Sequence, residues 1–119
     1  MTPVGRHTLP KEERLSGKVA IDALVKGGKW LGTGHLKACV LQGNGAELNR
    51  MMVSVPKKNF KRAVKRNLLK RRIRESYRLQ KHLINSSDTD ILFVYNHTEV
   101  LDFDIIFSEI GEILSKIRK

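Results

Sequence analysis

The 119-residue chain, with 40% apolar and 29% charged residues, is expected to fold rather than stay disordered. Its net charge is +11, and residues 57–81 hold twelve Lys or Arg beside one acidic residue, Glu75, which predicts a polyanionic partner such as a phosphate backbone. The longest apolar run has five residues, against the ~20 that span a bilayer, and no signal-peptide core precedes it, so we exclude a membrane protein.

The first half of the chain predicts one helix and three strands. We expect residues 1–10 to fray because they contain two prolines and a glycine. Apolar residues from Leu15 to Val25 indicate a short helix that stops at Gly27 and Gly28. Trp30 and Leu31 fit a first strand, and residues 36–42 and 50–55 fit two more, separated by a glycine-rich turn. Trp30 is either packed at the sheet edge, which is the more common case, or a platform for RNA.

The second half predicts a basic helix, a strand and a last helix. The basic helix covers about residues 63–82, and residues 90–95 form a buried strand. Asp102 is a candidate N-cap for the last helix, with Asp104 near its dipole. The apolar stripe of that helix has spacings of three and four: Phe103, Ile106, Phe107, Ile110, Leu114 and Ile117. The order predicts an α+β two-layer sandwich, one domain over residues 1–119, with the helices on one face of a small sheet.

The basic helix separates its residues by chemistry. On a helical wheel, Leu69, Ile73 and Tyr77 can face the sheet. The opposite arc holds five cations and an amide: Asn67, Lys70, Arg71, Arg74, Arg78 and Lys81. A solvated helix face usually mixes charge signs, since opposite charges four residues apart stabilise a helix. Like charges at this spacing repel, so we interpret this arc as a surface that binds phosphate, for which arginine is well suited.

Other residues leave alternatives open or exclude chemistry. Phe60, beside the helix start, either stacks on a base or covers the core, as such aromatics more often do. The single cysteine, Cys39, rules out an internal disulfide and favours the reduced cytoplasm, and the four scattered histidines lack zinc-finger spacing. We find no acid–base pair or carboxylate cluster fit for hydrolysis, so no catalytic or metal-binding residue is predicted.

Residues 57–75 resemble the signature of the protein component of bacterial ribonuclease P. The shared pairs keep fixed offsets: Lys57 and Lys58, Ala63 and Val64, Arg66 and Asn67, Lys70 and Arg71, Arg74 and Glu75. A weaker resemblance extends from Arg14 through the last helix. The family often has two phenylalanines, four residues apart, where this chain has Ile21 and Val25, so base stacking on the first helix would be lost here.

The resemblance implies a four-stranded sheet with three helices, in the order α-β-β-β-α-β-α, and a left-handed crossover through the basic helix. It also implies a protein subunit that binds the catalytic RNA and the 5′ leader of precursor tRNA. Such a subunit is expected to bind neither DNA nor a membrane. The RNA subunit would perform the hydrolysis and hold most of the Mg²⁺. Residues for the catalytic RNA would be Lys57, Lys58, Arg62, Arg66, Asn67, Lys70, Arg71, Arg74 and Arg78. Residues for the leader would be Ile21, Val25, Leu36, Lys37, Cys39 and Phe60. The residues themselves leave an alternative for Cys39, since a cysteine in a strand is most often a small buried apolar side chain.

Three other functions fit parts of the sequence. A structural RNA binder, such as a small ribosomal protein, would share the basic patch. A DNA-binding module would place the basic helix in a major groove, but it needs a partner helix nearby. A self-sufficient ribonuclease would need the acid–base residues that we do not find.

Overall fold

A computed structural model describes residues 9–117 of the chain. The elements follow the predicted order, and a 3₁₀ turn at Lys81–Leu83 continues the basic helix. Asp102 occupies the N-cap position of the last helix, without a side-chain capping hydrogen bond. The bounds are α1 (Lys18–Gly27), β1 (Lys29–Gly32), β2 (Leu36–Gln42), β3 (Arg50–Ser54), α2 (Ala63–Gln80), β4 (Thr89–Tyr95) and α3 (Phe103–Ser115). No helix between residues 9 and 117 is long and apolar enough to cross a membrane.

The four strands form one mixed sheet in the order β1-β2-β4-β3. β4 pairs antiparallel with β2 and parallel with β3, whose register begins with Arg50 opposite Asp90. Because β3 and β4 are parallel neighbours, the chain must cross from one end of the sheet to the other between them, and α2 makes that crossover. The α+β class and the element order are confirmed, while the left-handed sense of the crossover stays a prediction.

The helices pack on both faces of the sheet. The main core lies between the sheet and the pair α2 and α3, and it includes Ala38 and Phe93. A smaller cluster on the opposite face joins Leu24 of α1 to Cys39 and Leu92. Successive residues of a strand point to opposite faces, so the consecutive apolar residues of β2 and β4 supply both cores. The expectation that all helices share one face is therefore corrected for α1.

The N-terminal segment is more ordered at its end than we predicted. Residues 1–8 lie outside the described part of the chain, but Leu9 is buried in the main core and Pro10 precedes a 3₁₀ turn at Lys11–Glu13. The prediction of fraying is therefore wrong at Leu9, because burial of an apolar side chain offsets the entropy of ordering the backbone.

The turn between β1 and β2 is attached to α3 through Glu109. Thr33 Oγ1 donates a hydrogen bond of 2.5 Å to Glu109 Oε1, and the His35 backbone N–H donates another of 2.9 Å to the same oxygen. His35 Nδ1 lies 2.5 Å from Glu109 Oε2. Burial raises the pKa of Glu109, but the hydrogen bonds from Thr33 and His35 outweigh it, so the pKa lies below the usual 4.5.

We expect Glu109→Gln to destabilise the fold by about 2 kcal/mol near pH 7, because it removes hydrogen bonds to a charged group. A depressed folded-state pKa gives stability that is present above the usual value and lost as the pH falls through the folded pKa. Urea unfolding should therefore show the gap between wild type and variant shrinking as the pH falls below the usual value of 4.5. Glu112→Gln, on the exposed side of α3, is the control, and an equal loss in both variants at pH 7 would contradict the prediction.

Candidate nucleic-acid interface

The two faces of α2 have the predicted orientation. Leu69, Ile73 and Tyr77 are fully buried against the sheet and α3, and Gln80 Nε2 donates a hydrogen bond of 2.8 Å to the Phe107 carbonyl oxygen. These contacts fix the rotation of the helix about its axis. The opposite face, with Arg71 exposed at its centre, is therefore held toward solvent as one surface.

The centre of this surface borders a groove of about 630 Å³. Asn67, Lys70, Arg71 and Arg74 line it, and Arg14 reaches it from the segment before α1. Partial burial and the neighbouring Arg14 cation both lower the pKa of Arg74, although an arginine so placed remains protonated near neutral pH. Two guanidinium groups thus approach each other beside Lys70 and Arg71, which favours an anionic ligand.

Arg66 has a structural contact that the sequence did not reveal. Its Nη1 donates hydrogen bonds to the carbonyl oxygens of Phe60, at 2.7 Å, and Lys61, at 2.9 Å. The predicted RNA-binding residue therefore also holds the loop before α2 in place. That loop places Lys61 and Arg62 along a second hollow of about 570 Å³, at the start of α2.

The C-terminal end of the cationic arc is largely neutralised. Glu75 accepts two hydrogen bonds from Arg78, at 2.9 and 2.7 Å. The hydrogen bonding that Arg78 donates to Glu75 raises the pKa of Arg78. Lys81 Nζ lies 2.8 Å from Glu13 Oε1. The strongest positive surface therefore runs from Asn67 to Arg74, and Arg78 is a weaker candidate for phosphate than the sequence indicated.

Three of the six predicted leader-binding residues are interior. Leu36 is 1% exposed and lies on the α2 side of the sheet, since neighbouring strand residues alternate in direction and Lys37 is on the α1 side. Cys39 lies on the α1 side of the sheet and is covered by α1. Its Sγ donates to the Leu24 carbonyl oxygen at 3.3 Å, and burial raises the pKa of the thiol. Phe60 packs against Tyr95 with ring centroids 5.7 Å apart. Direct leader contact by these three side chains is therefore withdrawn.

The other predicted leader residues are accessible, and the structure adds one. Val25 is 47% exposed, Ile21 is half-buried and Lys37 is exposed. A hollow of about 540 Å³ lies on the sheet beside Lys37, and Trp30 lines it while remaining 50% exposed. Of the two alternatives for Trp30, we favoured packing at the sheet edge over a platform for RNA, and its exposure does not fit such packing. Trp30 is opposite Cys39 in the strand register, so it shares a face of the sheet with Lys37.

One face of the mixed sheet is covered by the cationic crossover helix α2, and the other face has an open hollow lined by an aromatic and a basic side chain. These features define a small α+β protein built to bind a polyanion. A sequence model of the family Ribonuclease P matches residues 9–118. The chain therefore belongs to the family of ribonuclease P proteins.

Curated relatives and solved structures agree with this assignment. The ribonuclease P protein component of Porphyromonas gingivalis (strain ATCC 33277) is 42% identical over 87 residues, which span 71% of this chain and 64% of that protein. That of Syntrophus aciditrophicus is 31% identical over 92% of this chain and 90% of its own. The ribonuclease P protein of Thermotoga maritima superposes with a TM-score of 0.78 at 27% identity, covering 90% and 99% of the two chains. A Staphylococcus aureus structure, 22% identical, shares the fold with a TM-score of 0.77.

Proposed function

We propose that this chain is the protein subunit of ribonuclease P, the ribonucleoprotein that removes the 5′ leader of precursor tRNA. The observation that carries the proposal is the cationic groove of α2 and Arg14, in a chain of this family. Three residue pairs of the family signature also lie on α2: Arg66 and Asn67, Lys70 and Arg71, and Arg74 and Glu75. In this proposal the RNA subunit performs the hydrolysis, and the protein acts by binding.

The catalytic RNA would lie along α2. Arg71 and Arg74 can each bind a phosphate through two nitrogens, and Lys70 adds a point charge beside them. Asn67 offers an amide to a base edge or a ribose hydroxyl. Lys57, Lys58 and Arg62 extend the positive field along the loop that Arg66 holds. Neutralising closely spaced phosphates lets RNA segments approach one another, so this binding would order the RNA and tighten its hold on the substrate.

We propose that Mg²⁺ is held mainly by the RNA subunit. Glu75, the carboxylate in the α2 groove, is engaged by the guanidinium of Arg78, and Asp90 is engaged in the same way by Arg50. Oxygens that already accept from guanidinium groups do not suit a Mg²⁺ ion, which prefers free carboxylates and water. We therefore assign no Mg²⁺ ligand role to Glu75 or Asp90.

The rival functions fare differently against the structure. The chain after α2 enters a 3₁₀ turn and then β4, so α2 has no following helix with which to form a helix-turn-helix. A structural RNA binder would use the same groove, and only an activity measurement separates it from the proposal. The cytoplasm remains the predicted compartment, on the ground of the single cysteine.

The decisive experiment is the cleavage of a 5′-extended precursor tRNA at low Mg²⁺. Bacterial ribonuclease P RNA alone, this protein alone and the two together are compared. We expect efficient cleavage at the mature 5′ end with the mixture, because the protein lowers the concentration of Mg²⁺ that the RNA needs. Tight RNA binding without enhancement would move the function to a structural or regulatory RNA binder. Cleavage by the protein alone would identify a self-sufficient ribonuclease.

A further inference from the structure

Trp30 is the one tryptophan of the chain, and it is half exposed on the edge strand β1. An indole buries a large apolar area when it is packed, so exposure of half of it leaves stabilisation unused. Val25, on α1, is also 47% exposed. Large apolar side chains exposed beside polar ones are typical of binding surfaces.

The strand register places a cation next to this indole. Trp30 is opposite Cys39 and Gly32 is opposite Lys37, so Trp30 and Lys37 are diagonal neighbours on one face of the sheet. Gly32 has no side chain to cover the space between them. Val94, opposite Lys37 on the other side, forms the aliphatic floor of the hollow.

α1 covers only part of this sheet face. The Ala20 and Ala23 side of the helix borders the end of the sheet where Leu41 and Arg50 lie. Ile21 lies about 100° and Val25 about 140° around α1 from Ala20, so neither is on the side that borders this end of the sheet. The hollow is therefore open to solvent, with an indole, an ammonium group and aliphatic side chains around it.

The hairpin of β1 and β2, which carries Trp30 and Lys37, is also held in place. The turn that follows β1 is attached to α3 by three contacts from Thr33 and His35 to Glu109. A side chain on a fixed hairpin loses little conformational freedom when a ligand binds, which favours affinity.

We propose that Trp30 stacks on a base of single-stranded RNA while Lys37 contacts the adjacent phosphate. The inference rests on the proposed function, in which that RNA is the precursor leader. Base stacking on an aromatic ring beside a cation is the usual way in which single strands are bound without strict sequence preference. No carboxylate is among the described residues that line the hollow, so a negatively charged strand meets no repulsion there. Trp30 thereby supplies the stacking that Ile21 and Val25 on α1 do not.

Fluorescence tests the stacking directly, because all tryptophan emission of this protein comes from Trp30. Titration with a single-stranded oligoribonucleotide of about eight nucleotides should quench that emission. Absence of quenching at saturating RNA would overturn the proposal. This readout needs no catalytic RNA, so it is independent of the proposed function, whose failure would appear as wild-type protein that does not enhance cleavage.

Binding to the holoenzyme tests the consequence. Trp30→Ala should weaken affinity for a precursor with a leader of about eight nucleotides by about five-fold to a hundred-fold, and leave a precursor with a one-nucleotide leader within about two-fold. Trp30→Phe should retain most of the affinity. Ile105→Ala, an exposed apolar residue on α3, is the matched control and should change neither value. Equal losses for both leaders, which a merely structural role would give, or no loss at all would overturn the proposal.

Discussion

Replacing Lys70, Arg71 and Arg74 together by alanine is expected to weaken binding to ribonuclease P RNA by about a hundred-fold and to lower the salt dependence of binding. Each cation that neutralises a phosphate releases condensed counterions, which contributes about 0.7–0.9 to the slope of log affinity against log salt. Three such contacts should therefore reduce the magnitude of that slope by roughly two to three. Arg71 and Arg74 are exposed and Lys70 half-buried, so the loss should come from binding and not from unfolding.

Titrations of the RNA at several salt concentrations measure both quantities. The stability of the variant should stay within about 0.5 kcal/mol of the wild type, since no buried contact is removed and like-charge repulsion is relieved. Lys116→Ala, which removes a cation near Glu112 at the end of α3, is the control and should leave affinity and slope nearly unchanged. A triple variant that keeps the wild-type slope would show that the RNA binds elsewhere.

The residues that form α2, and which of them face the core, were predictable from the sequence because both depend on one helix alone. A period of 3.6 residues decides which side chains share a face, and Leu69, Ile73 and Tyr77 could only face the core. The elements followed from turn residues and apolar spacing for the same local reason. The position of Arg14 beside Arg74 was not predictable, because it depends on how the segment before α1 crosses the molecule.

The errors on the sheet face have two causes. Leu36 and Lys37 cannot both bind one ligand, since adjacent strand residues point to opposite faces, and that alternation was already present in the sequence. The burial of Cys39 agrees with the usual behaviour of a cysteine in a strand, but the element that covers it, α1, was not predictable from the sequence. Trp30 was underestimated because the register of an edge strand is not evident from apolar spacing.

The pair Arg50 and Asp90 gives the largest expected effect on stability. Asp90 is 3% exposed, and it accepts hydrogen bonds from Arg50 Nε and Nη2, both at 2.9 Å, and from Asn44 Nδ2 at 2.8 Å. The hydrogen bond to Asp90 raises the pKa of Arg50, so the pair is favoured in its charged form. The two residues are opposite each other at the start of the parallel register between β3 and β4.

We expect Arg50→Met to destabilise the protein by about 3–5 kcal/mol, because it leaves the Asp90 carboxylate buried without its cation. Urea unfolding measures this cost, and the double variant Arg50→Met with Asp90→Leu should recover much of it, since an apolar pair buries no unpaired charge. Lys81→Met, which breaks the more exposed pair with Glu13, is the control and should cost under about 1 kcal/mol. Equal losses of unfolding free energy for Arg50→Met and Lys81→Met would contradict the prediction and mean that water reaches Asp90. Since Arg50 lies on the α1 side of the sheet and the α2 groove on the other, any loss of catalytic-RNA binding in Arg50→Met should follow the unfolded fraction alone.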